Sequence, residues 1–276
     1  MTESMNLQNA ALAGNVAIVT GGTGGIGAAT CREFAAAGAH VVVVDRSGQR
    51  VDEFLKELTD THGAGTGQQF VGMVLDVCLE SDMEEMARMT HERFGRIDFL
   101  VTCAGILRAP GSLPKPMAQV SAQEWDVVIN VNLRGVFLSN RAVLTFMVPQ
   151  RSGNIINVSS TSGRQGKAHD SAYCASKFGV IGLSESVAEE VRPYGIKVQT
   201  VLPDAVDTPL WDQNGPIKPE HALAAERVGE LIVYMAMLPS DTLLVAPVIA
   251  PFRTRRRKAK PQTASTGADQ ESSALS

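Results

Sequence analysis

Six short runs dominated by apolar residues constrain this chain more than any other feature. They are "NVAIVT" (15–20), "HVVVVD" (40–45), "QQFVGMVLDV" (68–77), "IDFLVTCAG" (97–105), "GNIINVSS" (153–160) and "IKVQTVLP" (196–203). Strands that face solvent on one side alternate polar and apolar residues, whereas strands buried on both faces read as continuous apolar stretches. Between the runs lie segments of helical spacing. Ile26, Ala29, Phe34 and Ala35 share a face ahead of Gly38, and Val51, Phe54, Leu55 and Leu58 do so within 49–61. Further helices are expected over 81–94 (ending at Gly95), 172–191 and 219–238. One long helix is expected over 121–148, with Ser121 as N-cap and Glu124 at the capping-box position. Residues 241–252 read as a seventh strand. Strand–helix alternation with right-handed crossovers gives an α/β fold: a doubly wound parallel sheet of about seven strands with helices on both faces.

The chain has 276 residues, 44% of them hydrophobic, and a net charge of −4, so it can bury a full core and carries no global field for nucleic acid or anionic membrane. No apolar run reaches the length of a membrane helix, and "MTESMNLQNAALAGN" lacks the pattern of a signal peptide. Cys31, Cys78, Cys103 and Cys174 sit at no metal or redox spacing and read as reduced thiols of a cytoplasmic protein; no metal site is expected. Residues 1–258 read as one domain and 259–276 as a disordered tail poor in apolar periodicity. Arg253, Arg255, Arg256, Arg257, Lys258 and Lys260 form a basic cluster, read as solvated rather than as a nucleic-acid site.

"TGGTGGIG" (20–27) joins the first strand to the first helix. There, unpaired N–H groups and the positive end of the helix dipole suit a pyrophosphate, and glycine permits close backbone approach. Gly21, Thr23, Gly25, Ile26 and Gly27 are the candidate contacts; an ordinary strand–helix turn is the bland alternative. Asp45 ends the second strand 18 residues after Gly27, where a carboxylate can accept both hydroxyls of an adenosine ribose and repel a 2′-phosphate. With glycine rather than a basic residue at position 24, this favours NAD over NADP, although the adjacent Arg46 is discordant. Asp76 and Val77, after the third strand, are placed for the adenine edge.

Tyr173 and Lys177 lie four apart and so share a helix face. A nearby ammonium favours a phenolate, which predicts a tyrosine with a lowered pKa that exchanges a proton with an alcohol or ketone. Four-residue patterns of this kind are common, and two snorkelling surface side chains are the competing reading. Ser160 shifts the balance, because it follows the fifth strand at its carboxyl end, where ligands bind in open α/β sheets. Ser159 is the near alternative, but strand alternation points the two in different directions.

"TGGTGGIG", "TCAG" (102–105), "VNLRGVF" (131–137), "NVSSTSG" (157–163), "YCASK" (173–177) and "LPDAVDTPL" (202–210) occur in the order seen in short-chain dehydrogenases/reductases, which the chain resembles over about residues 13–210. The resemblance implies a Rossmann fold and NAD(P)-dependent interconversion of an alcohol and a carbonyl. Tyr173 would be the general acid/base. Lys177 would bind the nicotinamide ribose and lower the tyrosine pKa, and Ser160 would polarise the substrate oxygen. Asn132 would hold a water that relays protons to Lys177. Cys103, Ala104, Gly105 and Pro203 would line the cofactor, and Thr208 would contact the carboxamide with backbone help from Val206. Two positions depart from the family pattern: Cys103 stands for an asparagine that ties strands together, and Asp204 for a glycine beside the nicotinamide.

The substrate pocket is expected in the loops after strands four to six, with Leu107, Arg108, Arg164, Lys167, His169, Leu210 and Trp211 as candidates. The expected partners are a small alcohol or ketone and a second copy of the chain, as homodimer or homotetramer, with neither nucleic acid nor membrane. The competing function is an NAD(P)-binding sensor or scaffold of the same fold without turnover.

Overall fold

A computed structural model describes residues 11–63, 65–214 and 219–252. Strands β1 (Val16–Thr20), β2 (His40–Asp45), β3 (Phe70–Val74), β4 (Phe99–Thr102), β5 (Gly153–Val158), β6 (Ile196–Pro203) and β7 (Val248–Ile249) form one sheet in the order β3-β2-β1-β4-β5-β6-β7. Every neighbouring pair is parallel. The chain winds outward from β1 in one direction, returns, and winds outward in the other, so the strand order reverses between β1 and β4.

The helices are α1 (Gly25–Ala36), α2 (Gly48–His62), α3 (Glu80–Phe94), α4 (Ala122–Ile129), α5 (Gly135–Gln150), α6 (Ser171–Val191) and α7 (Ala225–Met237). Strand alternation divides the core into two layers. Ala17, Val19, Val41 and Val43 pack with Phe34, Phe54, Leu58 and Ile232 from α1, α2 and α7. Val16, Ile18, Val42 and Val44 pack on the other face with Met83, Met86, Val143 and Val191 from α3, α5 and α6. All five β1 residues are buried, which is why that run carries no polar alternation.

Three expected elements differ. The long helix over 121–148 starts as expected: Ser121 accepts from the Glu124 amide and the Glu124 carboxylate accepts from the Ser121 amide. It then widens into a π-helical turn at Asn130–Arg134 before α5 resumes and runs to Gln150. The helix expected over 219–238 begins only at Ala225, because Leu223 is held in a parallel bridge to Val206, donating to the Ala205 carbonyl and accepting from Asp207. The strand expected over 241–252 shrinks to Val248–Ile249. Pro247 cannot donate to a ladder, and Ala246 adopts φ +45°, so only two residues pair with Leu202 and Pro203. The tail and basic cluster expected over 253–276 lie outside the described residues.

Candidate active site

The carboxyl ends of the strands border one cleft of about 390 Å³. Such clefts open in doubly wound sheets where the strand order reverses. At one end the chain leaves β1 and turns into α1. Gly21 has φ +66°, and a Cβ there would lie 2.7 Å from the Ala104 backbone; a Cβ on Gly27 would lie 2.1 Å from the Gly21 carbonyl oxygen. Only glycine allows this turn to close against the 103–105 segment. The α1 N-cap is Gly24, with no side chain to satisfy the first N–H groups of the helix, which leaves the end of α1 suited to a phosphate. Thr23, Gly25, Ile26 and Gly27 line the cleft beside it. These residues fit a dinucleotide: a backbone cradle from which Cβ atoms are excluded, closed by the Asp45 carboxylate.

Asp45 is well engaged. One oxygen accepts from the Arg46 amide (2.8 Å) and from Arg50 Nη2 (2.9 Å), and the other from Thr23 Oγ1 (2.6 Å). Arg46 stands 4.0 Å from Asp76. Arg50 is a lining residue that sequence reasoning missed, since in the first turn of α2 it reads as helix surface.

The opposite side holds Ser160, Tyr173 and Lys177. β5 ends at Val158, and the two following serines part ways. Ser159 Oγ donates to the Lys177 carbonyl (2.9 Å) and buttresses α6. Ser160 Oγ accepts from the Ser162 amide (3.1 Å) and faces the Tyr173 phenol. Tyr173 and Lys177 lie one turn apart on α6, and Lys177 Nζ sits 5.7 Å from the centre of the tyrosine ring while donating to the Val158 carbonyl (2.9 Å). Both side chains are buried. Burial disfavours each charged form, so the Tyr173 pKa is pushed up to about 12 and the Lys177 pKa down to about 8. This reverses the sequence expectation of a tyrosine lowered by its lysine. Desolvation dominates, the polar Ser160 hydroxyl beside the phenol is the main counterweight, and the Asp170 charge adds to the rise.

Asn132 lies in the π-helical turn, fully buried and behind the cleft wall. Its side chain is spent on protein partners: Oδ1 accepts from the Ile106 amide (2.8 Å), and Nδ2 donates to the Ile106 carbonyl (2.8 Å) and Ser176 Oγ (3.1 Å). It therefore fixes the segment after β4 to α6. Cys103 contacts Thr30 instead of tying strands, and its thiol is pushed up to about 12 by burial. The strands are tied one residue earlier. Asn157 Oδ1 accepts from Thr102 Oγ1 (2.8 Å) and Asn140 Nδ2 (2.9 Å), while its Nδ2 donates to Asn140 Oδ1 (3.0 Å) and Ser184 Oγ (2.9 Å).

Asp76, Val77, Cys103, Ala104, Gly105, Pro203, Val206 and Thr208 all line the cleft, as do Leu107, Lys167, Leu210 and Trp211. Asp204 lines it too, accepting from Thr161 Oγ1 (3.1 Å) with Lys167 at 3.8 Å. Arg108 and His169 border a side cavity instead, and Arg164 donates to the Ala246 carbonyl. Asp170 and Gln213 line the cleft without having been singled out. Asp170 carried one signal, its place immediately before a helix; Gln213 carried none. Among the described residues no group of His, Cys, Asp or Glu could hold a metal ion, and no helix is long and apolar enough to cross a membrane.

Comparison with known proteins agrees with the fold. A 3-oxoacyl-(acyl-carrier-protein) reductase of Thermotoga maritima is 35% identical over 234 residues, spanning 82% of this chain and 91% of the relative. The levodione reductase of Leifsonia aquatica is 36% identical over 199 residues, 72% of each chain. The crystal structure of a levodione reductase superposes with a TM-score of 0.78 at 30% identity, over 87% of this chain and 96% of the other. A metagenomic short-chain oxidoreductase solved in complex with NADP gives a TM-score of 0.74 at 29% identity, over 88% and 100%. The family model described as short chain dehydrogenase matches residues 15–217, and on that match, these relatives and the shared sheet the chain belongs to the short-chain dehydrogenase family.

Proposed function

We propose that this protein interconverts a secondary alcohol and a ketone, with Tyr173 as the proton-exchanging group and NAD as the preferred cofactor. The observation that carries the reading is the meeting of Ser160, Tyr173 and Lys177 at the end of β5, across the cleft from the glycine cradle. A bound nicotinamide dinucleotide supplies the hydride donor or acceptor. The protein's own residues handle the oxygen. Ser160 directs its hydroxyl to the substrate oxygen, and Tyr173, protonated at neutral pH, gives its proton to that oxygen as a ketone is reduced. Lys177, with a pKa near about 8, is poised to return a proton to the site. A phenol held protonated favours reduction near neutral pH, and oxidation gains as pH rises.

Cradle residues 21–27, with Asp45, Asp76 and Val77, would hold the adenosine end, and Pro203, Val206 and Thr208 the nicotinamide end. The Asp45 carboxylate, facing the ribose position, supports NAD; Arg46 and Arg50 beside it are the features that would admit NADP. Leu107, Leu210 and Trp211 give the substrate region an apolar floor. Four free cysteines support a cytoplasmic location, and the exposed Phe137 and Phe178 on α5 and α6 support self-association.

The test is Tyr173→Phe assayed with NAD and NADP against alcohols and ketones of graded size. Turnover should fall about 10²- to 10⁴-fold with cofactor affinity unchanged. Near-wild-type turnover would refute the assignment of Tyr173. Tight cofactor binding by the wild type with no turnover on any substrate would point to the sensor or scaffold function instead.

A further inference from the structure

Arg108 is buried beside the active-site cleft without lining it. Its Nη2 pairs with Asp170, and the two side chains are 9% and 16% exposed. Its Nε and Nη1 are buried with no hydrogen-bond partner among the described residues. A buried guanidinium with unmet donors is costly, and such groups call for an explanation. The side cavity that Arg108 borders is about 40 Å³, but the orphaned nitrogens are closed off by protein, so a ligand subsite there is not the explanation.

The partner carboxylate points to another. Asp170 is the N-cap residue of α6, yet its side chain makes no capping hydrogen bond; it turns to Arg108 instead. It stands one helical turn ahead of Tyr173 and lines the cleft. The preceding residue, His169, is a non-glycine at φ +67°, a strained conformation of the kind that clusters at functional sites. The Arg108 end is anchored as well: the Leu107 and Arg108 amides both donate to Gln213 Oε1, at 2.9 and 3.1 Å. The pair thus joins the loops that follow β4, β5 and β6 at the base of the tyrosine helix.

We propose that Arg108 is a positioning residue for Tyr173: by fixing and neutralising the Asp170 carboxylate, it keeps the phenol set against Ser160 and able to exchange its proton. This rests on the reading of Tyr173 as the proton-exchanging group. The charges that face the pair are few. Asp170 meets Arg108, Lys167 and His169; Tyr173 meets Ser160, Asp170, Cys174 and, across its ring, Lys177. Asp204 is paired with Lys167, and from the α4 side Glu124 is paired with Lys115. Asp170 opposes ionisation of the phenol, so removing Arg108 leaves that opposition unscreened, and removing Asp170 abolishes it.

The experiment uses the full chain labelled with 3-fluorotyrosine, whose phenol is more acidic than tyrosine's, and follows its three tyrosines by ¹⁹F NMR across pH, with Tyr173→Phe assigning the resonance. It needs no turnover, so its outcome is separate from that of the substrate panel. Asp170→Asn should lower the Tyr173 midpoint and Arg108→Gln should raise it, each by about half a pH unit or more, with the double variant between them. The pH limb of kcat/KM should move the same way. If Arg108→Gln does not fold, Asp170→Asn and Arg108→Lys carry the test, lowered and near wild type respectively. A Tyr173 midpoint unchanged in Asp170→Asn, or moved down by Arg108→Gln, overturns the proposal and leaves the pair a structural tie only.

Discussion

Replacing Asn157 with alanine removes a side chain that joins four elements. Its amide makes four hydrogen bonds: with Thr102 on β4, two with Asn140 on α5, and one with Ser184 on α6. All four residues are buried. Two of the abandoned groups have other partners, since Asn140 Nδ2 also donates to the Val136 carbonyl and Ser184 Oγ to the Val180 carbonyl. Thr102 Oγ1 and Asn140 Oδ1 have no other bond of their own and are left unsatisfied. Each buried orphan costs about 1–3 kcal/mol, and the small void adds to it, so Asn157→Ala should cost about 4 kcal/mol. Urea unfolding followed by far-UV circular dichroism measures it, and a second substitution makes the reasoning specific. Thr102→Val should cost about 1 kcal/mol in the wild type, where it deletes a made hydrogen bond. In Asn157→Ala it should cost nothing or stabilise, because it removes an orphan. A cost below about 1 kcal/mol for Asn157→Ala, or an equal cost of Thr102→Val in both backgrounds, would refute the account.

Two further outcomes follow from the site. Asp45→Ala removes the carboxylate proposed to accept two ribose hydroxyls and unpairs Arg50, so NAD affinity should fall by about 2 kcal/mol, roughly 30-fold, while NADP loses less or gains; equal losses by calorimetry would contradict the proposed role. Lys177→Met should abolish turnover yet stabilise the fold at pH 7. The folded pKa of about 8 lies below the ordinary 10.5, so below pH 8 the native state carries a buried charge, and stability from this group rises only as pH climbs from about 8 to 10.5. Against the lost bond to Val158, the net gain should be about 2 kcal/mol at pH 7 and vanish near pH 10.5. Denaturant midpoints at the two pH values check it, and a variant less stable than wild type at pH 7 would contradict the sign.

The strands and the cleft were largely legible in the sequence for a physical reason. A strand buried on both faces reads as an apolar run, so "HVVVVD" marks the limits of β2, and the i,i+4 spacing of Tyr173 and Lys177 determines that they share a face. What escaped depends on distant neighbours. Nothing in "NVNLR" signals a π-helical turn, and "DTLLVAPVIAPF" is apolar enough for a full strand until Pro247 is asked for an amide it lacks. The direction of the Tyr173 shift escaped because burial is a property of the packed site rather than of the lysine four residues away. Arg108 with Asp170, and Gln213 with the Leu107 and Arg108 amides, are pairings across 62, 106 and 105 residues, beyond any local pattern.

The reversal of strand order between β1 and β4 also governs how the chain can assemble. β1 lies inside the sheet, between β2 and β4, and comes first among the strands, yet its neighbour from Ala17↔Phe99 to Thr20↔Thr102 arrives some 80 residues later; the buried Asp98 carboxylate accepting from the Val16 amide lies on the same seam, 82 residues apart. Any state in which β1, β2 and β3 pair before β4 docks would leave the β1 edge, apolar in four of its five residues, open to pairing with another chain. The cradle loop is attached to that edge. In such a state the glycine turn of residues 21–27 would already be attached while Ser160, Tyr173 and Lys177 were still to come, and the edge would close only when β4 docked and joined the two sides of the cleft.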